Sequence, residues 1–180
     1  ALCGVPVSIK DSIEVEGMPT TYGSLPFKDN RQPDAELVRR IRAAGGVITG
    51  KTNLPEFALH GAVDNLLSPV GRNPWNLDHT CGGSSGGAGN SVATGMGPIG
   101  IGTDSGGSIR MPAAANGIYG IKPSYQRIPA VQTWRAAPGR SHNGPLTRTV
   151  RDAALLLQAI SGADPRDGES NVPPVDYMSF

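Results

Sequence analysis

Short β-rich segments alternate with helix-forming ones along this 180-residue chain, and that alternation predicts an α/β layered domain. Two observations carry the expectation. Apolar runs at 5–10 and 98–103 have the length and make-up of buried strands. Amphipathic stretches at 34–44 and 149–160 have the period of helices lying against a sheet.

The elements follow in order. Residues 5–10 alternate and read as a strand, and 17–33 are turn-rich. Asp34 is the expected N-cap of a helix that buries Leu37, Val38, Ile41 and Ala44 and ends at Gly45 and Gly46. A short buried strand is expected over 47–49, and a brief helix opening on Pro55 over 55–59. Residues 64–81 read as an irregular loop. Small residues dominate 86–96, which suits a helix pressed hard against its neighbours. A strand at 98–103, a short helix at 108–116 and a strand at 118–122 follow. Thr149, with Asp152 three residues on, makes a capping-box pattern for a helix running to Ile160. No repeat and no interior boundary appears, so 1–180 reads as one domain.

Composition narrows the function. The net charge is +1, and the arginines are scattered apart from Arg39, Arg40 and Arg42, which argues against nucleic acid as a partner. No apolar run reaches membrane-spanning length. Cys3 and Cys81 form neither a metal spacing nor a disulfide framework, which fits a reducing, cytoplasmic setting. The chain opens inside an apolar strand and closes on a loop, VPPVDYMSF, so it is expected to be an internal piece of a longer polypeptide.

The chemistry concentrates in CGGSSGGAGNSVATGMGPIGIGTDSGGSIRMP. Eleven of the 26 residues from 82 to 107 are glycine, a large entropic cost unless the backbone must approach something closely. Two serines, Ser84 and Ser108, stand directly against paired glycines, and Lys10 closes the upstream strand in GVPVSIKD. Those are the parts of a serine hydrolase that works without histidine. A lone lysine at a strand end is more often a surface residue. Asp11 should lie on the opposite sheet face, so it need not hold Lys10 protonated. A flexible linker would lack the strand PIGIG and the charged pair Asp104 and Arg110 around Ser108.

Two other patterns mislead. Residues 45–52 satisfy the phosphate-loop spacing, but a helix precedes them and the middle of the motif is itself a strand, the reverse of what phosphate cradling needs. Residues 82–86 satisfy GxSxG, but no strand leads into them, and His60, His79 and His142 all sit in ordinary polar contexts.

GVPVSIKD, AGGVITGKTNLPEFA, GRNPWN, CGGSSGGAG, GIGTDSGGSIRMPAAANGIYGIKPS and GPLTRTVRDAALLL occur in that order. As an ordered set they resemble the amidase signature family of Ser–Ser–Lys hydrolases, over residues 4–167. The resemblance implies an α/β/α layered fold with a mixed central sheet. It implies Lys10 as the catalytic base, Ser84 as the bridging serine after a cis peptide bond, and Ser108 as the nucleophile. The backbone amides of Ser105, Gly106, Gly107 and Ser108 would form the oxyanion hole, with Asp104 and Arg110 buttressing that turn. It further implies a small-molecule amide substrate, no metal, no cofactor, no nucleic-acid or membrane partner, and a homodimer as an assembly for the full-length form. Cys81 and the segment Tyr125-Gln126-Arg127 depart from the usual pattern at positions away from the chemistry. Family members are several hundred residues long, so an N-terminal helical region and a large C-terminal portion lie outside this chain. Two rivals remain. One is the A-type component of a tRNA-dependent glutamine amidotransferase, which usually has Asp-Glu-Phe where this chain has Pro55-Glu56-Phe57. The other is a non-catalytic member that only binds a partner.

Overall fold

A computed structural model describes residues 2–133, 139–170 and 172–179. Its frame is a five-stranded mixed sheet in the order β2-β1-β3-β5-β4, built from β1 (Pro6–Lys10), β2 (Val47–Thr52), β3 (Ile99–Asp104), β4 (Tyr119–Gly120) and β5 (His142–Thr147). Strands β2, β1 and β3 run parallel, and β5 lies antiparallel between β3 and β4.

Side-chain alternation divides the strands between two helical layers. Val7 and Ile9 of β1 and Ile99 and Ile101 of β3 are buried against α1 (Glu36–Ala43) and α4 (Val150–Ile160), where Leu37, Val38, Ile41, Leu156 and Ile160 complete the larger core. The other face carries α2 (Gly86–Ala93) and α3 (Arg110–Asn116), with a smaller core of Ala88, Val92, Ile109, Ala113 and Leu146. There β1 presents Ser8, whose hydroxyl meets that of Ser91 on α2 at 3.1 Å. Helices cover both faces, as the layered expectation requires.

Several boundaries differ from the sequence expectation. Strand β2 runs through Thr52, well past 49, and α3 starts at Arg110. The brief helix after Pro55 is a 3-10 turn, Glu56–Ala58, with Phe57 and Ala58 both at positive φ. Asp34 is not the cap of α1. That position is Ala35, and the Asp34 carboxylate instead accepts from the Glu16 amide at 2.7 Å and from Arg42 Nε at 2.8 Å. Thr149 does cap α4, accepting from the Asp152 amide. Strand β5 had no sequence signal, because its HNGPLT reads as turn chemistry.

The parallel strands β1 and β3 end at the same edge of the sheet, and β5 begins there, with Asp104 paired to His142. Lys10, Thr103, Asp104 and the start of β5 are thereby gathered at one carboxyl edge, where open α/β sheets place their ligands.

Candidate active site

Lys10 ends β1 with no exposed surface. Its ammonium nitrogen donates to Ser84 Oγ at 2.6 Å and to Thr103 Oγ1 at 2.7 Å. Burial lowers its pKa to about 7, against a smaller upward pull from the Asp104 charge. Asp11 takes no part. It pairs with Lys51 at 2.9 Å and accepts from the Thr21 hydroxyl, on the other side of the strand. The phosphate-loop pattern thus resolves into an edge strand whose lysine is tied to Asp11 and Thr20.

Ser84 and Ser85 are fully buried just ahead of α2, and the Gly83–Ser84 peptide bond is cis. Ser85 Oγ accepts from the Thr103 amide at 3.2 Å, which clips this turn to β3. The Ser85 amide donates to the Ser108 carbonyl at 3.1 Å, which clips it to the second serine turn.

That second turn is organised by Asp104, which is fully buried. Its carboxylate accepts from the amides of Gly107 at 2.7 Å and Ile109 at 3.2 Å, and from Arg110 Nε and a terminal guanidinium nitrogen, both at 3.0 Å. Burial pushes the Asp104 pKa up, but Arg110 and the amides outweigh it and hold the carboxyl below its ordinary range. The turn needs φ +122° at Gly107, a region open to glycine. Of the four amides expected to form the oxyanion hole, that of Gly107 donates within the turn, to Asp104. The amides of Ser105, Gly106 and Ser108 make no such internal bond among the described residues.

Ser84 and Ser108 line one cavity of about 310 Å³. No hydrogen bond joins their hydroxyls, so the Lys10–Ser84 link is formed and the Ser84–Ser108 link is not. Apo sites commonly hold such contacts long until substrate closes them.

Sequence reasoning missed four residues of this site. Thr103 supplies the second acceptor for Lys10. Its local signal was only a hydroxyl one residue before Asp104; the parallel pairing of β1 with β3 that gives it the role is not written locally. Ser141 and His142 belong to the unanticipated β5 region. Ser141 Oγ meets Ser105 Oγ at 2.8 Å, and His142 Nδ1 lies 3.1 Å from the Asp104 carbonyl. His60 stands on the cavity wall with Nδ1 3.4 Å from Asp64, and it bonds to neither serine. Among the described residues, no three His, Cys, Asp or Glu side chains converge as metal ligands, and no helix is long and apolar enough to cross a membrane.

The profile of the family described as Amidase matches residues 1–180. AmiB2 of Mycobacterium tuberculosis (strain H37Rv), provisionally named an amidase, is 47% identical over 93% of this chain and 36% of its own length. The A component of the glutamyl-tRNA(Gln) amidotransferase of Anaeromyxobacter sp. (strain K) is also 47% identical, over 97% of this chain and 36% of its own. The crystal structure of the corresponding glutamyl-tRNA(Gln) amidotransferase component from Thermotoga maritima superposes with a TM-score of 0.92 at 40% identity, covering 96% of this chain and 38% of that one. The chain therefore spans little more than a third of the length of these relatives.

Proposed function

The chain belongs to the amidase signature family, and on that premise we propose that it carries the catalytic residues of an amidohydrolase that cleaves a carboxylic amide through an acyl-Ser108 intermediate. The observation that carries this reading is the buried Lys10, poised near neutrality and bonded to Ser84 at the wall of the cavity that Ser108 shares. A hydrolase of this kind needs a base that is uncharged at working pH. At its ordinary pKa only about 1 lysine in ~2,500 would be neutral at pH 7, whereas Lys10 is close to half neutral there.

In this reading, Ser108 Oγ attacks the carbonyl carbon, Ser84 takes its proton, and Ser84 passes its own to Lys10. The negative charge formed on the carbonyl oxygen is met by the uncommitted amides of the Ser105–Ser108 turn. Removing one such donor typically costs ~3–4 kcal/mol of transition-state stabilisation. The proton returns through Ser84 to the leaving nitrogen, the C–N bond breaks, and amine or ammonia departs. Water then attacks the acyl-Ser108 ester by the same relay and releases the carboxylate. The setting proposed for this chemistry is cytoplasmic.

The deciding experiment uses the full-length polypeptide that contains this segment. A fluorophosphonate probe should label Ser108, and Ser108→Ala should abolish labelling and turnover. Labelling that persists in Ser108→Ala would remove the assignment.

The second reading is the A-type component of an amidotransferase, favoured by the 47% identity to such a protein, equal to that of AmiB2. Co-purification of partner proteins, with glutaminase activity that responds to charged tRNA, would select it. The segment Pro55-Glu56-Phe57 and a lone, freely active polypeptide would select the first.

A further inference from the structure

The described wall of the reaction cavity contains no aspartate or glutamate. Beside its hydroxyls and amides it contains Leu59 and Met111, and one permanently charged side chain, Arg140. Among the described residues Arg140 has no ion-pair or hydrogen-bond partner, unlike Arg110 at the same turn, whose guanidinium is consumed by Asp104. Nor is Arg140 a loosely attached neighbour of the site. The two residues that follow it are each fastened to the nucleophile turn: Ser141 through its hydroxyl to Ser105 Oγ at 2.8 Å, and His142 through Nδ1 to the Asp104 carbonyl at 3.1 Å. His142 then enters β5 opposite Asp104. The backbone of Arg140 is therefore held beside Ser108 at the cavity wall, and its planar guanidinium has no donor spent on a described residue.

From this placement we infer that Arg140 is a specificity-determining residue, and that the preferred substrates are amides carrying a carboxylate elsewhere in the molecule. A guanidinium presents paired donors that match a carboxylate in bidentate fashion. With no acid on the described wall to neutralise it, its field favours an anionic group over a neutral or cationic one of the same size. The reaction stays the hydrolysis described above. For succinamate, the carboxamide C–N bond breaks, a C–O bond to water forms, and succinate and ammonia leave. The inference rests on the amidohydrolase reading and adds the charge class of the substrate.

The test uses the full-length protein and amides matched in length: succinamate and glutaramate as anions, butyramide and valeramide as neutral counterparts, and 4-aminobutyramide as the cation. The better anion should exceed its neutral counterpart in kcat/KM, and the cation should be poorest. Arg140→Ala should lower kcat/KM for that anion by about tenfold, chiefly through KM, while the neutral amide changes less than about twofold. Arg140→Lys should recover part of the loss, because it restores the charge but not the paired donors. Equal losses on neutral and anionic amides, or a wild-type preference for the neutral ones, would overturn the inference and leave the hydrolase intact. Hydrolysis of none of the amides by a protein that fluorophosphonate does not label would instead remove the hydrolase reading, and this inference with it.

Discussion

Lys10 makes two hydrogen bonds, and the second explains how it could serve as a base. A neutral amine has two N–H groups and one lone pair. Spending an N–H on Thr103 Oγ1 at 2.7 Å leaves the lone pair free to turn toward Ser84. Thr103→Val should therefore lower kcat by roughly tenfold with KM little changed, in line with a lost hydrogen bond to a charged group. The same loss removes an acceptor from the ammonium form, so the acid limb of the pH profile should move to lower pH. Thr103→Ser should restore both, whereas a threonine that only fills space would leave the limb where it was. Wild-type kcat/KM itself should fall as pH drops below about 7, where Lys10 gains its proton. Stability responds to the same group. Between about 7 in the folded state and roughly 10.4 in the unfolded chain, the unfolded state holds more protons, so stability rises with pH across that window. The penalty for burying the amine is complete below the folded pKa and gone above the unfolded one. Lys10→Met should accordingly gain more stability over the wild type at pH 6.5 than at pH 10.5 in urea titrations. Equal differences at the two pH values would show that Lys10 is not depressed. The lysine and both serines were legible from their motifs. Thr103 was not, because its role depends on a neighbouring strand.

Helix α2 shows why the glycine-rich run cannot be a linker. A Cβ on Gly87 would lie 2.5 Å from the Asn53 nitrogen and 2.6 Å from its carbonyl oxygen, both backbone atoms at the end of β2. Gly87→Ala would gain about 1 kcal/mol of helix propensity, but backbone atoms cannot yield as side chains do. Overpacking of about 1–3 kcal/mol should win, and Tm should fall. A Tm that rises would mean that α2 sits farther from Asn53 than these contacts require. Strand β5 is the opposite case. Its Gly144 and Pro145 predict a turn, yet it lies in the sheet interior between β3 and β4, and the Pro145 carbonyl accepts from the Ile121 amide at 3.1 Å. Pairing on both sides overrode local propensity there. Asp34 was misread for a related reason, since its partners, Glu16 and Arg42, come from outside the first turn of α1.

Across the molecule, β2 and β4 are the outer strands of the sheet, and Leu59, Leu66, Trp75 and Leu77 are largely exposed. This chain covers 36% of the length of AmiB2 and of the Anaeromyxobacter amidotransferase component. Expressed alone, residues 1–180 should associate through these apolar surfaces and strand edges and should show no turnover, although Lys10, Ser84 and Ser108 are all present. A monodisperse 180-residue protein with amidase turnover matching the longer polypeptide, read by light scattering and ammonia release, would refute this. Sequence alone determined the family and the layered fold, and singled out the lysine and serines as candidates, because these are written in ordered local motifs and in hydrophobic period. Only the tertiary structure decided which amides of the Ser108 turn are spent, that Thr103 and the start of β5 join the site, and that Arg140 stands on the cavity wall without a described partner. Those facts depend on hydrogen bonds and charges between segments far apart in the chain, and no local pattern encodes which partner a polar group will meet.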